Sequence, residues 1–229
     1  MLTTVLLRLL DEARRDELSF VEGLVAGERD AAGTSERWSA KDHMAHVAFW
    51  RLRFADRLEA IHRNEPQPEG EPWETLNDRL VEENRDRTWP DVLAELDRSH
   101  DALCAGIERL SDDQLTAFGR YDWLEGQPLH DAVMGSAYEH LQLHLAQYRL
   151  ERGDLSEARR IHERSVARVL EADTPPALKG LVLYNLACFL ALHGDLEQAR
   201  SRLDSALALY PTPLLAEFSS TDPDLAALR

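Results

Sequence analysis

Residues 138–144 read Tyr-Glu-His-Leu-Gln-Leu-His, inside a run whose apolar residues recur every three or four positions. Such spacing is typical of one face of an α-helix. His140 and His144 stand four residues apart, so a helix places their imidazoles one above the other on the same face. Two such imidazoles can bind one divalent metal ion, and a stable site requires at least a third ligand. The stretch therefore predicts a helix that carries two ligands of a metal site.

The third ligand is expected from a second amphipathic stretch, which runs from Trp38 to Trp50 and reads Trp-Ser-Ala-Lys-Asp-His-Met-Ala-His-Val-Ala-Phe-Trp. It contains His43 and His46, which are three residues apart and point to roughly the same side of a helix. Either imidazole can complete the site, and the spacing of the neighbouring apolar residues does not choose between them. A buried neutral imidazole needs a partner for each ring nitrogen, so several histidines that face one core favour a bound metal.

Further side chains near these histidines are candidate parts of the site. Asp42 precedes His46 by one helical turn, so its carboxylate is a candidate acceptor for a hydrogen bond from this imidazole. The alternative is that Asp42 caps the start of the helix. Trp50, Tyr138 and, where it is not the ligand, His43 are candidates for the wall of a pocket; each aromatic ring can equally belong to the ordinary core.

The composition limits the classes of partner and the cellular location. The 229 residues carry a formal net charge of −16, which argues against a nucleic-acid backbone or an anionic membrane surface as partner. The N-terminus lacks the basic region of a secretion signal, and the longest apolar run, residues 181–192, is too short to span a bilayer. Cys104 and Cys188 lie in apolar helical contexts and are expected to be buried thiols. We expect a cytoplasmic protein.

Helical periodicity along the first two thirds of the chain predicts an all-α fold. Capping residues and prolines separate the helical segments, as Ser39 and Thr88 illustrate. The predicted segments are residues 2–28, 39–61, 73–87, 89–110 and 129–152. Four of them are long and carry apolar stripes, which predicts a four-helix bundle over residues 1–152.

The pattern changes after residue 152, where a short motif appears twice. Residues 153–159 (Gly-Asp-Leu-Ser-Glu-Ala-Arg) recur as residues 194–200 (Gly-Asp-Leu-Glu-Gln-Ala-Arg). Around the second copy, apolar and small residues fall where a tetratricopeptide repeat places its packing residues. These are Leu183, Leu186, Ala187, Leu190, Gly194, Ala199, Leu203, Ala206 and Pro211. The first copy fits less well. We predict tetratricopeptide-like helical hairpins over residues 153–229.

The stretch from Trp38 to Trp50 resembles the second-helix signature of the DinB-like four-helix bundles. It is most similar to the ClbS/DfsB branch, whose pattern is Trp-Ser-x-Lys-Asp-x-x-x-His-x-x-x-Trp. Asn77, residues 89–115, the Gly-x-Pro-Leu of residues 126–129 and the His-x-x-x-His of residues 140–144 follow in the order of the same family. The resemblance covers roughly residues 2–150. It implies that the family's metal triad corresponds to His46, His140 and His144.

The resemblance also implies a function. It implies a His₃ site with open positions, in a pocket between helices, and superfamily activities that include thiol transfer, small-molecule hydrolysis and isomerisation. ClbS-type members inactivate a DNA-alkylating cyclopropane metabolite, which implies detoxification or self-resistance. We therefore expect a metal-dependent enzyme with a small-molecule substrate and no nucleic-acid or membrane partner. A His₃ site accepts Zn²⁺, Ni²⁺ and Fe²⁺; we expect Zn²⁺ or Ni²⁺ first. A homodimer is the default assembly.

Two other functions are compatible with the same sequence. One is a metal-free ClbS-like cyclopropane hydrolase or drug-sequestering resistance protein, whose histidines and nearby acids act as general acid–base groups. The other is a binding or scaffold protein that uses residues 153–229, because helical repeats bind peptides or further copies on their concave faces. The chain departs from the family pattern at Arg51, where many relatives carry an acidic residue, and in its repeat-like tail.

Overall fold

The computed structural model of the chain describes residues 1–29, 31–34, 37–68 and 73–229. In these ranges every regular element is a helix and no strand occurs, which confirms the all-α fold. None of the helices described is both long and apolar enough to cross a membrane. The same residues form two compact units, Met1–Ala158 and Arg159–Arg229. The domain boundary at residues 152/153 stays a prediction.

The helices of the first unit include those of the predicted bundle. They are α1 (Leu2–Gly23), α2 (Ala26–Arg29), α3 (Ala40–Arg63), α4 (Trp73–Asn84), α5 (Trp89–Glu108), α6 (Asp112–Thr116), α7 (Leu129–Val133) and α8 (His140–Leu150). A π-helical turn, Met134–Glu139, joins α7 to α8. A 3₁₀ turn, Asp122–Leu124, lies between α6 and α7. The helix predicted over residues 129–152 is therefore three consecutive helical segments.

Helices α1, α3, α5 and α8 with its π-helical turn pack around one core. Each contributes fully buried apolar side chains, such as Leu6, Leu58, Leu103 and Leu141. Each buried side chain of this size stabilises the fold by roughly 1.5–3 kcal/mol. Helices α3 and α5 approach closely at Gly106, where a β-carbon would lie only 3.0 Å from the side chain of Leu58. This core holds the bundle that positions the histidines.

Helix α3, which carries His43 and His46, begins at a capping box. The side chain of Ser39 accepts a hydrogen bond from the amide of Asp42, and the Asp42 carboxylate accepts from the amide and hydroxyl of Ser39 at 2.9 and 2.6 Å. A β-carbon at Gly33 would lie 1.9 Å from the Asp42 carboxylate and 2.6 Å from the Ser39 nitrogen, so the preceding loop needs glycine there. The cap fixes where α3 begins and thus which way its histidines point.

The remaining helices are α9 (Leu155–Glu171), α10 (Pro176–Leu192), α11 (Leu196–Leu209) and α12 (Pro213–Thr221), followed by a 3₁₀ turn, Pro223–Leu228. Helices α10 and α11 pack as a helical hairpin. Ala199 and Ala206 are fully buried in it, and a β-carbon at Gly180 would lie 2.7 Å from the side chain of Tyr210. Small residues therefore allow the two helices to approach closely.

The repeated motif forms the same connection twice. The glycine has a positive φ in both copies, 78° at Gly153 and 84° at Gly194. The aspartate that follows, Asp154 or Asp195, donates its amide to the carbonyl five residues earlier, at 2.9 and 3.0 Å. Each aspartate side chain then accepts a hydrogen bond from the amide three residues later. The glycine thus ends one helix and the aspartate caps the next. The relation to tetratricopeptide repeats stays a prediction.

Candidate metal centre

Three histidines from two helices of the bundle converge on one point. The Nε2 atom of His140 on α8 lies 3.1 Å from Nε2 of His46 on α3 and 3.1 Å from Nε2 of His144 on α8. One nitrogen from each ring lies within 4.8 Å of the others. The exposed fraction is only 4% for His46 and 6% for His144, while His140 is half-buried. The structure thus brings together the three histidines that the sequence predicted as ligands.

The π-helical turn positions the first histidine of α8. The amide of His140 donates its hydrogen bond to the carbonyl of Gly135, five residues earlier rather than four. One extra residue per turn changes the direction in which the preceding side chains point relative to α8. Single π-helical turns inside α-helices are frequent at functional sites. The turn was not predicted, since the apolar spacing over residues 129–152 also fits an uninterrupted α-helix.

The spacing and chemistry of the three nitrogens fit a transition metal. Ligand nitrogens about 2.0–2.1 Å from a tetrahedral metal lie about 3.3 Å from one another. Two pairs of Nε2 atoms are already 3.1 Å apart. Three converging imidazole nitrogens need protons or a cation between them, because their lone pairs otherwise repel. A divalent ion supplies that positive charge, and all-imidazole sites suit zinc, nickel and iron.

Burial keeps these imidazoles neutral. It lowers the pKa of His46 to about 3, with smaller contributions from His140 and His43. It lowers the pKa of His140 to about 4, and the positive charge of Arg51 contributes as well. The pKa of His144 lies well below its ordinary value for the same reason, with the neighbouring histidines adding to the effect. A neutral imidazole offers a lone pair, so the three rings are in the protonation state that binds metal.

His43 lies beside the triad. Its Nδ1 atom is 3.0 Å from Nδ1 of His144, which is the ring nitrogen on the side away from the triad. The side chain of His43 is completely buried, and burial together with the charge of Arg152 lowers its pKa to about 3. The structure therefore separates the two histidines of α3: His46 faces the converging nitrogens and His43 faces the outer nitrogen of His144.

The indole of Trp38 forms an aromatic wall against the triad. It stacks on His144 with an interplanar angle of 8° and 5.9 Å between ring centroids, and its centroid lies 5.1 Å from that of His46. Trp38 was not predicted as a site residue. A signal for it exists, because Trp38 precedes the capping Ser39 and His43 is the fourth helical residue. These two positions pack together in a hydrophobic staple, and their rings are 5.4 Å apart.

The other predicted site residues have different surroundings. The ring of half-buried Trp50 lies 6.0 Å from that of His46, and its indole N–H donates to Asn77 at 3.3 Å. Tyr138 is fully buried in the π-helical turn. The predicted hydrogen bond between Asp42 and His46 is not formed. The Asp42 carboxylate is engaged in the capping box, and Nδ1 of His46 has no hydrogen-bond partner among the described residues.

A second group of potential ligand atoms lies in the other unit, where Cys188, Asp222 and Asp224 come together. Hydrogen bonds to Asp222 explain why these side chains lie close together without a metal ion. The Asp222 carboxylate accepts from the Tyr184 hydroxyl at 2.6 Å and from the amide of Asp224 at 3.0 Å, which caps the last 3₁₀ turn. Burial raises the pKa of the Cys188 thiol to about 12, so without a metal this side chain is a protonated thiol at neutral pH.

Comparison with known proteins identifies the first unit. No curated protein and no solved structure matches the chain. The family model of the DinB superfamily matches residues 9–148, which include His46, His140 and His144. The match confirms the resemblance at the level of the superfamily, while the ClbS/DfsB branch and the tetratricopeptide-like tail stay predictions. Because the match covers more than half of the chain, this protein belongs to the DinB superfamily.

Proposed function

We propose that this protein is a metal-dependent enzyme that acts on a small organic molecule, as a hydrolase or a thiol transferase. The observation that carries the proposal is the convergence of three neutral imidazole nitrogens, from His46, His140 and His144, in a superfamily whose members often bind metal. The proposed cofactor is a divalent transition metal, Zn²⁺ or Ni²⁺ before Fe²⁺.

In the proposed site the three histidines hold the ion, and the neighbouring tryptophans enclose the substrate. Three imidazoles leave open positions on a bound ion, which lowers the pKa of bound water toward ~7 or polarises a substrate oxygen or thiol. Trp38 and Trp50 lie against the histidines and supply apolar surface for an organic substrate. The side chains of His46 and His144 are buried, which limits the access of water to the site.

We infer the substrate class from the signature of residues 38–50. Its similarity to the ClbS/DfsB pattern supports a reactive small metabolite as substrate and a role in detoxification or self-resistance. The net charge of −16 supports a small molecule over a nucleic acid as the bound partner. A homodimer is the assembly that we propose by default.

The experiment that tests this function compares metal-stripped and reconstituted protein in assays of small-ester hydrolysis and of thiol transfer. We expect activity to disappear with the chelated metal and to return with one of Zn²⁺, Ni²⁺ or anaerobic Fe²⁺. His144→Ala stays inactive with every metal, whereas the control His193→Ala, at an exposed histidine of the other unit, keeps the parental activity. Activity that persists in fully stripped protein would establish the metal-free alternative instead.

A further inference from the structure

We propose that His43 and Glu151 form a hydrogen-bonded relay that orients the imidazole of His144 toward the metal. His43 and Glu151 are positioning residues in this arrangement, and neither contacts the ion. The inference rests on the proposed metal site, because it describes how the chain holds one of the three ligands.

Three side chains form a row of contacts that begins at His144 of the triad and leads away from the converging nitrogens. The Nε2 atom of His144 faces the other two histidines of the triad, and its Nδ1 is 3.0 Å from Nδ1 of His43. The other nitrogen of His43, Nε2, lies 3.6 Å from Oε2 of Glu151. Both of these atoms are buried, and neither has another hydrogen-bond partner among the described residues. Each lost hydrogen bond of a buried polar atom costs about 1–3 kcal/mol. A shift of about 0.6 Å closes the gap into an ordinary N–H···O bond.

The carboxylate determines which nitrogen of each ring carries the proton. An ionised carboxylate only accepts hydrogen bonds, so Nε2 of His43 must carry its proton and Nδ1 of His43 must be the acceptor. That acceptor requires a proton on Nδ1 of His144. The lone pair of His144 is then on Nε2, the atom that faces His46 and His140. Glu151 thus selects, through His43, the tautomer of His144 that binds metal.

Glu151 is itself held in place from several sides. It lies at the C-terminal end of α8, two turns after His144, and its Oε1 accepts a hydrogen bond from the side chain of Gln147 at 3.0 Å. The backbone of Trp38 also hydrogen-bonds to this carboxylate. The guanidinium of Arg152 lies 3.9 Å from Oε2. Through His43, Glu151 therefore holds the side of the His144 ring that faces away from the triad. It also holds the backbone of Trp38, whose indole stacks on His144.

The experiment measures Co²⁺ affinity of the full chain by competition with a chromophoric chelator, and records the visible absorption of the bound Co²⁺. His43→Leu removes both contacts and fills the space with apolar atoms. His43→Asn keeps an acceptor close to Nδ1 of His144. Glu151→Gln keeps the shape of the carboxylate and removes its charge. Loss of such an outer partner weakens metal affinity by about 10–100-fold.

We expect the affinity to fall in the order parent, His43→Asn, His43→Leu, with His43→Leu about 10–100-fold weaker than the parent and with altered Co²⁺ absorption. The metal-free stabilities follow a different order, since a buried leucine stabilises the core more than a buried asparagine. A purely structural role for His43 would make affinity follow stability. Opposite orders for the two variants therefore distinguish positioning from packing.

The outcomes separate the relay from the metal site itself. A parent protein that binds Co²⁺, with His43→Leu within about twofold of its affinity, overturns the relay and leaves the site intact. A parent protein that binds no Co²⁺ overturns the proposed function as well. Should His43→Leu not fold, Glu151→Gln decides alone: unchanged affinity overturns the relay, and weakened affinity with parental helicity supports it.

Discussion

A buried arginine, Arg51, follows Trp50 on α3 and has its own counter-ion. Nη1 of Arg51 is 2.6 Å from Oε2 of Glu17 on α1, and both side chains are buried. Arg14 pairs with the other oxygen of Glu17. Burial lowers the pKa of Arg51 to about 10, which leaves the guanidinium cationic at neutral pH. The charge of Arg51 is therefore neutralised by an acid on a neighbouring helix.

Replacing Glu17 alone leaves a buried charge without its partner. We expect Glu17→Leu to lower the free energy of unfolding by about 3–5 kcal/mol, measured by urea denaturation. The control is the double variant Glu17→Leu/Arg51→Met, in which both charges are replaced by apolar groups. It recovers most of the loss, because the desolvation of both ions is avoided. Equal stability of the parent and the single variant contradicts this role of the pair.

Among the secondary-structure elements, the π-helical turn has the most direct effect on the site. Deletion of Gly135 removes the residue whose carbonyl accepts from His140 five positions later, and lets the segment become an ordinary α-helix. Side chains before the deletion then rotate by about 100° relative to α8. We expect a helical protein that binds no Co²⁺, as measured by chelator competition. Gly135→Ala is the matched control and keeps the metal, since its β-carbon meets no atom within 4 Å.

The capping box at the start of α3 gives a second prediction at this scale. In Gly33→Ala the new methyl group collides with the Asp42 carboxylate and the Ser39 backbone. The cap must open or shift, so we expect a loss of at least about 1 kcal/mol in the free energy of unfolding. Gly27→Ala is the control, because nothing lies within 4 Å of a β-carbon there. Equal urea midpoints for the two variants would show that the cap tolerates the methyl group.

The same elements show how far the sequence determines the structure. Apolar spacing and capping residues are local signals, so the long helices and the caps at Ser39 and Thr88 were predicted close to their observed positions. The π-helical turn was missed, since one extra residue in a turn barely alters the apolar spacing. For Asp42 the sequence left two roles open, and the structure shows the capping one, because an N3 carboxylate after a serine satisfies the helix amides.

The site itself was predictable only where its residues are close in the sequence. The spacing of His140 and His144 indicated two ligands. The choice between His43 and His46 needed the family resemblance, because both lie on nearly the same side of α3 and only the packing of α8 separates them. Glu151 gave no signal at all. It lies more than 100 residues after His43 in the chain, and their proximity depends on the assembled bundle.

At the scale of the whole molecule, the buried histidines make the metal-free protein sensitive to acid. Their folded pKa values, about 3 for His43 and His46 and about 4 for His140, lie below the ordinary value near 6.5. Between these values the unfolded chain binds more protons than the folded one, so stability falls as the pH drops from about 6.5 toward 4. Above that range the histidines are neutral in both states and have no effect.

We therefore expect a lower urea midpoint for metal-stripped protein at about pH 5 than at about pH 7.5. Carboxylates also contribute over this range, so the control is the double variant His140→Leu/His144→Leu. It lacks two of the buried imidazoles and loses less stability between the two pH values. An equal loss in parent and variant would show that these histidines are protonated in the folded protein.

The central claim is that His46, His140 and His144 hold a transition metal. Its most direct test is elemental analysis of the protein purified without added metal, beside His140→Ala/His144→Ala and the control His193→Ala. The account predicts about one equivalent of a transition metal in the parent and the control and none in the double variant. A parent protein without metal, even after incubation with Zn²⁺, Ni²⁺ and Fe²⁺, would contradict it.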